Sequence, residues 1–116
     1  MLLHEESEAL VEIYDALYRL GATANYIGFF HTSYAIWLCA REPERLQLVT
    51  KWLYPDVAEH YGTNWKAVER NIRFLISMIW DNNPGILREY AGFRLAQKPR
   101  PAQFLGFMTR TVFQNK

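Results

Sequence analysis

YPDVAEHYGTNWKAVERNIRFLISMIW, residues Tyr54 to Trp80, reads as two helices joined by a tight turn, and the second carries basic residues on one side. Pro55 suits a first helical position, where its missing N–H breaks nothing. Ala58 followed four residues later by Gly62 supplies a small contact residue and then a turn glycine. Thr63 or Asn64 is placed to cap the helix that follows. At about 100° per residue, Val68, Ile72, Leu75, Ile76 and Ile79 cluster on one side of that helix. Lys66, Glu69, Arg70, Arg73 and Ser77 cluster almost opposite. One face is thus core and the other is free to read, which is the layout of a helix-turn-helix that binds DNA.

A helix docked in a major groove presents long donors from its first two turns. Arg bonds guanine O6 and N7 bidentately, and Lys reaches a phosphate or a base edge. Asn64, Trp65, Lys66, Glu69, Arg70, Arg73 and Ser77 are therefore the candidate DNA-contacting residues, with Thr63, Arg94, Lys98 and Arg100 as candidate phosphate contacts. The bland alternative is a solvated face on which Glu69 and Arg73 form an i, i+4 ion pair, and pattern alone does not separate the two.

The charge distribution bears on this choice. Residues 1–61 carry four basic against nine acidic residues, a net of −5, whereas residues 62–116 carry nine against three, a net of +6. The positive half begins at the proposed recognition helix, as attraction to phosphates requires.

At 116 residues, half of them hydrophobic, the chain is expected to form one domain spanning 1–116, with the helix-turn-helix at about 54–80. Helical patterns recur at about 5–19, Thr23–Ala40, from Pro43 to the break at Pro55, Ile86–Tyr90 and Ala102–Phe113, and no period-two run is long enough for a strand pair. The expected fold is all-α, a compact single-domain bundle of about six helices. Gly21 to Ala40 is uncharged, but Asn25, His31, Thr32 and Ser33 interrupt it, so it is read as the central buried helix rather than a membrane span. Cys39, the single cysteine, is read as a buried small hydrophobe, which suits a reducing cytoplasm. The acidic start lacks the basic n-region of a secretory signal, so a cytoplasmic location is expected.

His4, His31 and His60 fall in separate segments, and there is no HExxH, CxxC, glycine-rich phosphate loop or G-x-S-x-G elbow. No catalytic residue, metal site or cofactor is expected, and the chain is not read as an enzyme. His31 is read as a satisfied core histidine.

Spaced blocks of sequence add a resemblance. LYPDVA (Leu53–Ala58), VERNIR (Val68–Arg73) with Ile76, the positions Gly21, Ala24, Gly28, Ala35 and Ile36, and Lys98-Pro99 with Phe104 together resemble the C-terminal DNA-binding domain of the stage-zero sporulation master regulator of endospore-forming Firmicutes. They cover about Tyr14 to Val112. The resemblance implies an all-helical response-regulator effector domain that binds double-stranded DNA at short, often tandem sites and regulates transcription, partly by touching RNA polymerase. It implies base and phosphate contacts for Glu69, Arg70 and Arg73. The chain departs from the family pattern where Lys66-Ala67 replaces Ser-Arg and Phe74 replaces a His. Thr23, Asn25, Ile27 and Ser33 likewise replace Pro, His, Lys and Arg.

The family's full-length regulator places a receiver domain before this one. Met1 and a helix starting soon after it lead us to expect a separately encoded homologue rather than an excised domain. Self-association on tandem sites is then expected between DNA-bound copies, the acidic half of one meeting the basic half of the next, with Phe104, Phe107 and Phe113 offering apolar surface. The alternative function is a protein-interaction module of the same fold that modulates a related regulator or RNA polymerase.

Overall fold

A computed structural model describes the backbone of residues 2–114 and the side chains of residues 6–113. His4 lies outside the described side chains. The helices are α1 (Leu2–Arg19), α2 (Ile27–Arg41), α3 (Val49–Trp52), α4 (Tyr54–Tyr61), α5 (Trp65–Asn82), α6 (Pro84–Ala91) and α7 (Pro101–Gln114), with a 3-10 turn at Pro43–Gln47. Six of these helices have eight residues or more, and among the described residues there is no strand, so the expected all-α bundle is what forms. Its radius of gyration of 13.1 Å is that of a compact unit of this length.

The uncharged helix α2 is the centre, touching α1, α4, α5, α7 and the 3-10 turn. It is polar enough to need internal satisfaction, and Ser33 Oγ donates to the Phe29 carbonyl one turn back at 2.7 Å. Gly28 is where α2 meets α5: a Cβ there would fall on the backbone carbonyl of Asn71, so only glycine permits this approach. Ala35, Ile36 and Cys39 continue the buried face, and burial pushes the Cys39 thiol up to about 12. No helix among the described residues is long and apolar enough to cross a membrane.

Three of the boundaries that differ from those read in the sequence have a local physical cause. Helix α2 starts at Ile27 rather than Thr23, because Thr23 Oγ1 donates to the Asn25 side chain and the Tyr26 N–H bonds the Thr23 carbonyl, closing a turn instead. The single helix expected from Pro43 divides at Leu48 (φ −154°, ψ 78°) into the 3-10 turn and α3. Arg45 organises that division. Its guanidinium donates to Glu42 (2.8 and 3.0 Å), to the Trp52 carbonyl (2.5 Å) and to Asp56 (2.7 Å), tying the turn, α3 and α4 together. Helix α5 also runs past Trp80 to Asn82, and Asn83 Nδ2 then donates to the Leu20 carbonyl at 3.0 Å, fastening its end to the end of α1.

The last helix is more deeply buried than expected. Phe104, Leu105 and Met108 are fully buried and Phe107 is nearly so, because α7 touches α1, α2, α5, α6 and the 3-10 turn. Phe104 and Phe107 are therefore core residues and offer no apolar surface to a second copy; Phe113 is half-buried. From its outer side α7 closes the C-terminal end of α6: Arg110 donates to the Ala91 carbonyl (2.5 Å) and Thr111 to the Tyr90 carbonyl (2.6 Å).

Two substitutions test this arrangement. Gly28→Ala should cost about 1–3 kcal/mol by forcing two packed helices apart, read as a lower urea midpoint. Ile72→Asp should leave no helical circular dichroism signal of a folded chain, since Ile72 is fully buried and an unpaired buried carboxylate is strongly destabilising. A folded Ile72→Asp variant would show that the faces of α5 are assigned the wrong way round.

Candidate nucleic-acid interface

The turn between α4 and α5 is built by local chemistry. Gly62 adopts the left-handed conformation (φ 66°), its N–H bonds the Glu59 carbonyl at 3.3 Å, and the Thr63 N–H reaches the Ala58 carbonyl at 2.9 Å. This pairing satisfies the end of α4 and reverses the chain. Of the two expected caps it is Asn64 that serves, its Oδ1 accepting from the Ala67 N–H at 2.9 Å. Thr63 is exposed beside it.

Helix α5 then divides as its periodicity indicates. Val68, Ile72, Leu75, Ile76 and Ile79 are all buried, against α4 on one side and α2 on the other. Lys66, Arg70 and Arg73 are exposed, and Glu69 and Ser77 are half-buried along the same side. Lys66 Nζ lies 5.8 Å from the centroid of the Trp65 ring, whose attraction for a cation holds the ammonium near the start of the helix. Glu69 and Arg73 approach to 3.7 Å, the i, i+4 pair that the sequence allowed. At such exposure the pair contributes little to stability, and it leaves the Arg73 guanidinium free to turn outward.

Tyr54 forms the floor under this pair. It is fully buried, and its hydroxyl is pushed up to about 12 by burial and further by the Glu69 carboxylate, with Arg73 acting in the opposite direction.

A long-range contact completes the basic face. Pro99 and Pro101 are buried and fix the connector between α6 and α7, while Lys98 Nζ donates to Ser77 Oγ at 2.8 Å. Lys66, Arg70, Arg73 and Lys98 thus follow one line along α5. Arg94 and Arg100 are exposed on the same connector, and the Arg100 carbonyl accepts from the Phe104 N–H at the start of α7.

Two polar residues behind the helix escaped the sequence reading or were only partly understood. Asn71 is buried on α5 and pairs through Nδ2 with His31 Nδ1 of α2 at 3.4 Å. Burial lowers the His31 pKa, and the neutral ring can accept at Nδ1. Asn71 stands at the edge of the apolar stripe, where a helical wheel gives no sign that its amide has a partner.

Residues 13–112 match the family described as Sporulation initiation factor Spo0A C terminal. The chain belongs to this family. The match extends over nearly the same span as the resemblance drawn from the spaced motifs, and it includes α2, the helix-turn-helix and the connector carrying Lys98. The Spo0A C-terminal family is one of DNA-binding regulatory domains tied to sporulation, not of enzymes. Among the described residues no group of His, Cys, Asp and Glu side chains could hold a metal ion.

Positions where this chain departs from the family pattern are now placed. Thr23 and Asn25 lie in the turn before α2, Ile27 is exposed in its first turn, Ser33 is buried, and Phe74 is exposed on α5.

Burial of His31 gives this site a pH dependence. Its folded pKa lies below its ordinary 6.5, so the unfolded chain binds that proton more tightly. The corresponding stability is complete above about pH 6.5 and is lost as pH falls from there through the folded pKa. Urea midpoints of the wild type should therefore drop between about pH 7.5 and 5.5, and those of His31→Gln should drop less. Parallel profiles would show that His31 does not set this slope.

Proposed function

We propose that this chain is a sequence-specific DNA-binding regulator of transcription that docks α5 in the major groove of double-stranded DNA. The observation that carries this reading is the line of Lys66, Arg70, Arg73 and Lys98 on the exposed face of a capped helix whose opposite face is fully buried. Arg70 and Arg73 supply bidentate donors for base edges, and Glu69 orients Arg73 or accepts from a cytosine amino group. Trp65 and Ser77 border the same face. Lys66, Thr63 and Lys98 serve phosphates, with Arg94 and Arg100 extending the basic connector toward the backbone. Asn64 keeps its amide nitrogen for a phosphate while its oxygen caps the helix. No cofactor is required, the location is cytoplasmic, and RNA polymerase and further copies on tandem sites are the partners that family membership suggests.

Retardation of duplex DNA at increasing salt tests the reading, since neutralising phosphates releases counterions and affinity must fall as salt rises. Lack of any salt-dependent retardation would overturn it. A different observation favours a protein-interaction module. Ile27, Phe30, Tyr34, Trp37 and Arg41 form an outward row on α2, flanked by His60, whose ring stacks on Tyr34 with centroids 4.0 Å apart. Under that second reading DNA is not retarded even at low salt.

Arg70→Ala and Arg73→Ala should each weaken specific binding by about 1–3 kcal/mol. Their thermal unfolding should stay close to that of the wild type, because both side chains are exposed. Lys98→Ala should lower affinity for all sequences alike and reduce the salt slope by about 1. Unchanged affinity in both arginine variants would remove them from the interface.

A further inference from the structure

On the outward side of α5 one residue does not fit a purely polar surface. Phe74 is 55% exposed, directly follows Arg73 and lies one turn beyond Arg70. On helical spacing it stands about 40° around the axis from Arg70, at the edge of the basic line. Its ring rests 6.4 Å from that of Tyr26, at 47°, so one flank is backed and the other faces outward. Ile27, which follows Tyr26 in the chain, is 67% exposed.

Folding does not call for a phenyl ring here, since the core stripe of α5 lies on the other side. Single exposed apolar residues are common on protein surfaces and need no explanation. This one, however, has Arg70 one turn back at i−4 and stands at the edge of the face that carries the proposed base-reading donors. The family pattern has a histidine at this position, a side chain with both a donor and an acceptor, whereas phenyl has neither. It can bond no phosphate and no base edge. Among the groups a major groove presents, the C5-methyl of thymine is the apolar one.

We propose that Phe74 is a specificity-determining residue that packs on the C5-methyl group of a thymine neighbouring the base pair contacted by Arg70. This assignment rests on the DNA-binding reading above. Tyr26 limits the space into which the ring can swing, so the apolar contact is presented at a defined place beside the arginine rather than spread along the groove.

The test uses the duplex that the wild-type chain selects from a random pool. Each thymine is replaced singly by deoxyuridine, which removes the methyl group and leaves base pairing and the O4 acceptor intact. At one thymine per site the wild type should lose about fourfold in affinity, the worth of one buried methyl group. Phe74→Ala, which starts weaker, should lose nothing at that position while its circular dichroism and melting remain those of a folded chain. Equal responses of wild type and Phe74→Ala to every replacement, or a selected duplex with no methyl-sensitive thymine, would overturn the role of Phe74 and leave DNA binding standing. A wild type that retards no duplex at any salt would overturn both.

Discussion

Backbone meets backbone where Gly28 of α2 lies against the Asn71 carbonyl of α5, and the placement of the proposed reading helix depends on that contact. With no Cβ at position 28, the first turn of α2 settles onto the middle of α5, near the Cβ of Leu75. The same approach brings His31, three residues along α2, within reach of the Asn71 side chain. A larger residue at 28 would separate the helices and strand two buried polar groups, each of which is costly without a partner. The glycine and the His31–Asn71 pair therefore act as one joint, apolar approach and polar register together.

That joint fixes α5 from behind, and the rest of the motif fixes it from the side. Gly62 and Asn64 set the angle between α4 and α5 through local bonds, backbone to backbone at Gly62 and Thr63 and side chain to backbone at Asn64, which makes the turn insensitive to what the outer face carries. Arg45 anchors α4 in turn by linking Asp56 to the 3-10 turn and α3. Lys98 comes from a connector held by two buried prolines, so its approach to Ser77 needs little ordering of backbone. The groups proposed to meet DNA thus stand on a support that is assembled before any ligand arrives, the condition under which binding energy is not spent on ordering.

What could be read from sequence was what local periodicity and local capping control. The buried stripe of Val68, Ile72, Leu75, Ile76 and Ile79 follows from a strongly two-sided helix, and a turn at Gly62 with a cap at Asn64 follows from residue chemistry within a few positions. The break at Leu48 could not be read that way, because it depends on Arg45 reaching Trp52 and Asp56. The false start of α2 at Thr23 arose from treating an uncharged stretch as uniformly helical, although Thr and Asn side chains compete for the backbone. Phe104 and Phe107 offer no surface to a second copy because α7 is surrounded by four helices and the 3-10 turn, contacts between distant segments that the periodicity of one helix does not reveal. Lys98 is a candidate phosphate contact on sequence grounds, but its position along α5 is a contact across 21 residues that no spacing rule supplies.

The charges on α5 are themselves an argument about use. Lys66 and Arg70 are like charges at i, i+4 and Arg70 and Arg73 at i, i+3, arrangements that oppose helix formation by about 0.2–0.5 kcal/mol each at exposed sites. Glu69 offsets part of this through Arg73, but its contact is long at 3.7 Å and screened by water. Helix α5 has neither acidic residues in its first turn nor basic ones in its last, so its charges do not complement its own dipole. The helix is held instead by its buried stripe and its N-cap. Folding alone gives no reason for a face that lowers the stability of its own helix and aligns with a lysine from another segment, and the proposed docking on a duplex would supply one, since a duplex carries negative charge at the regular spacing such a line can follow.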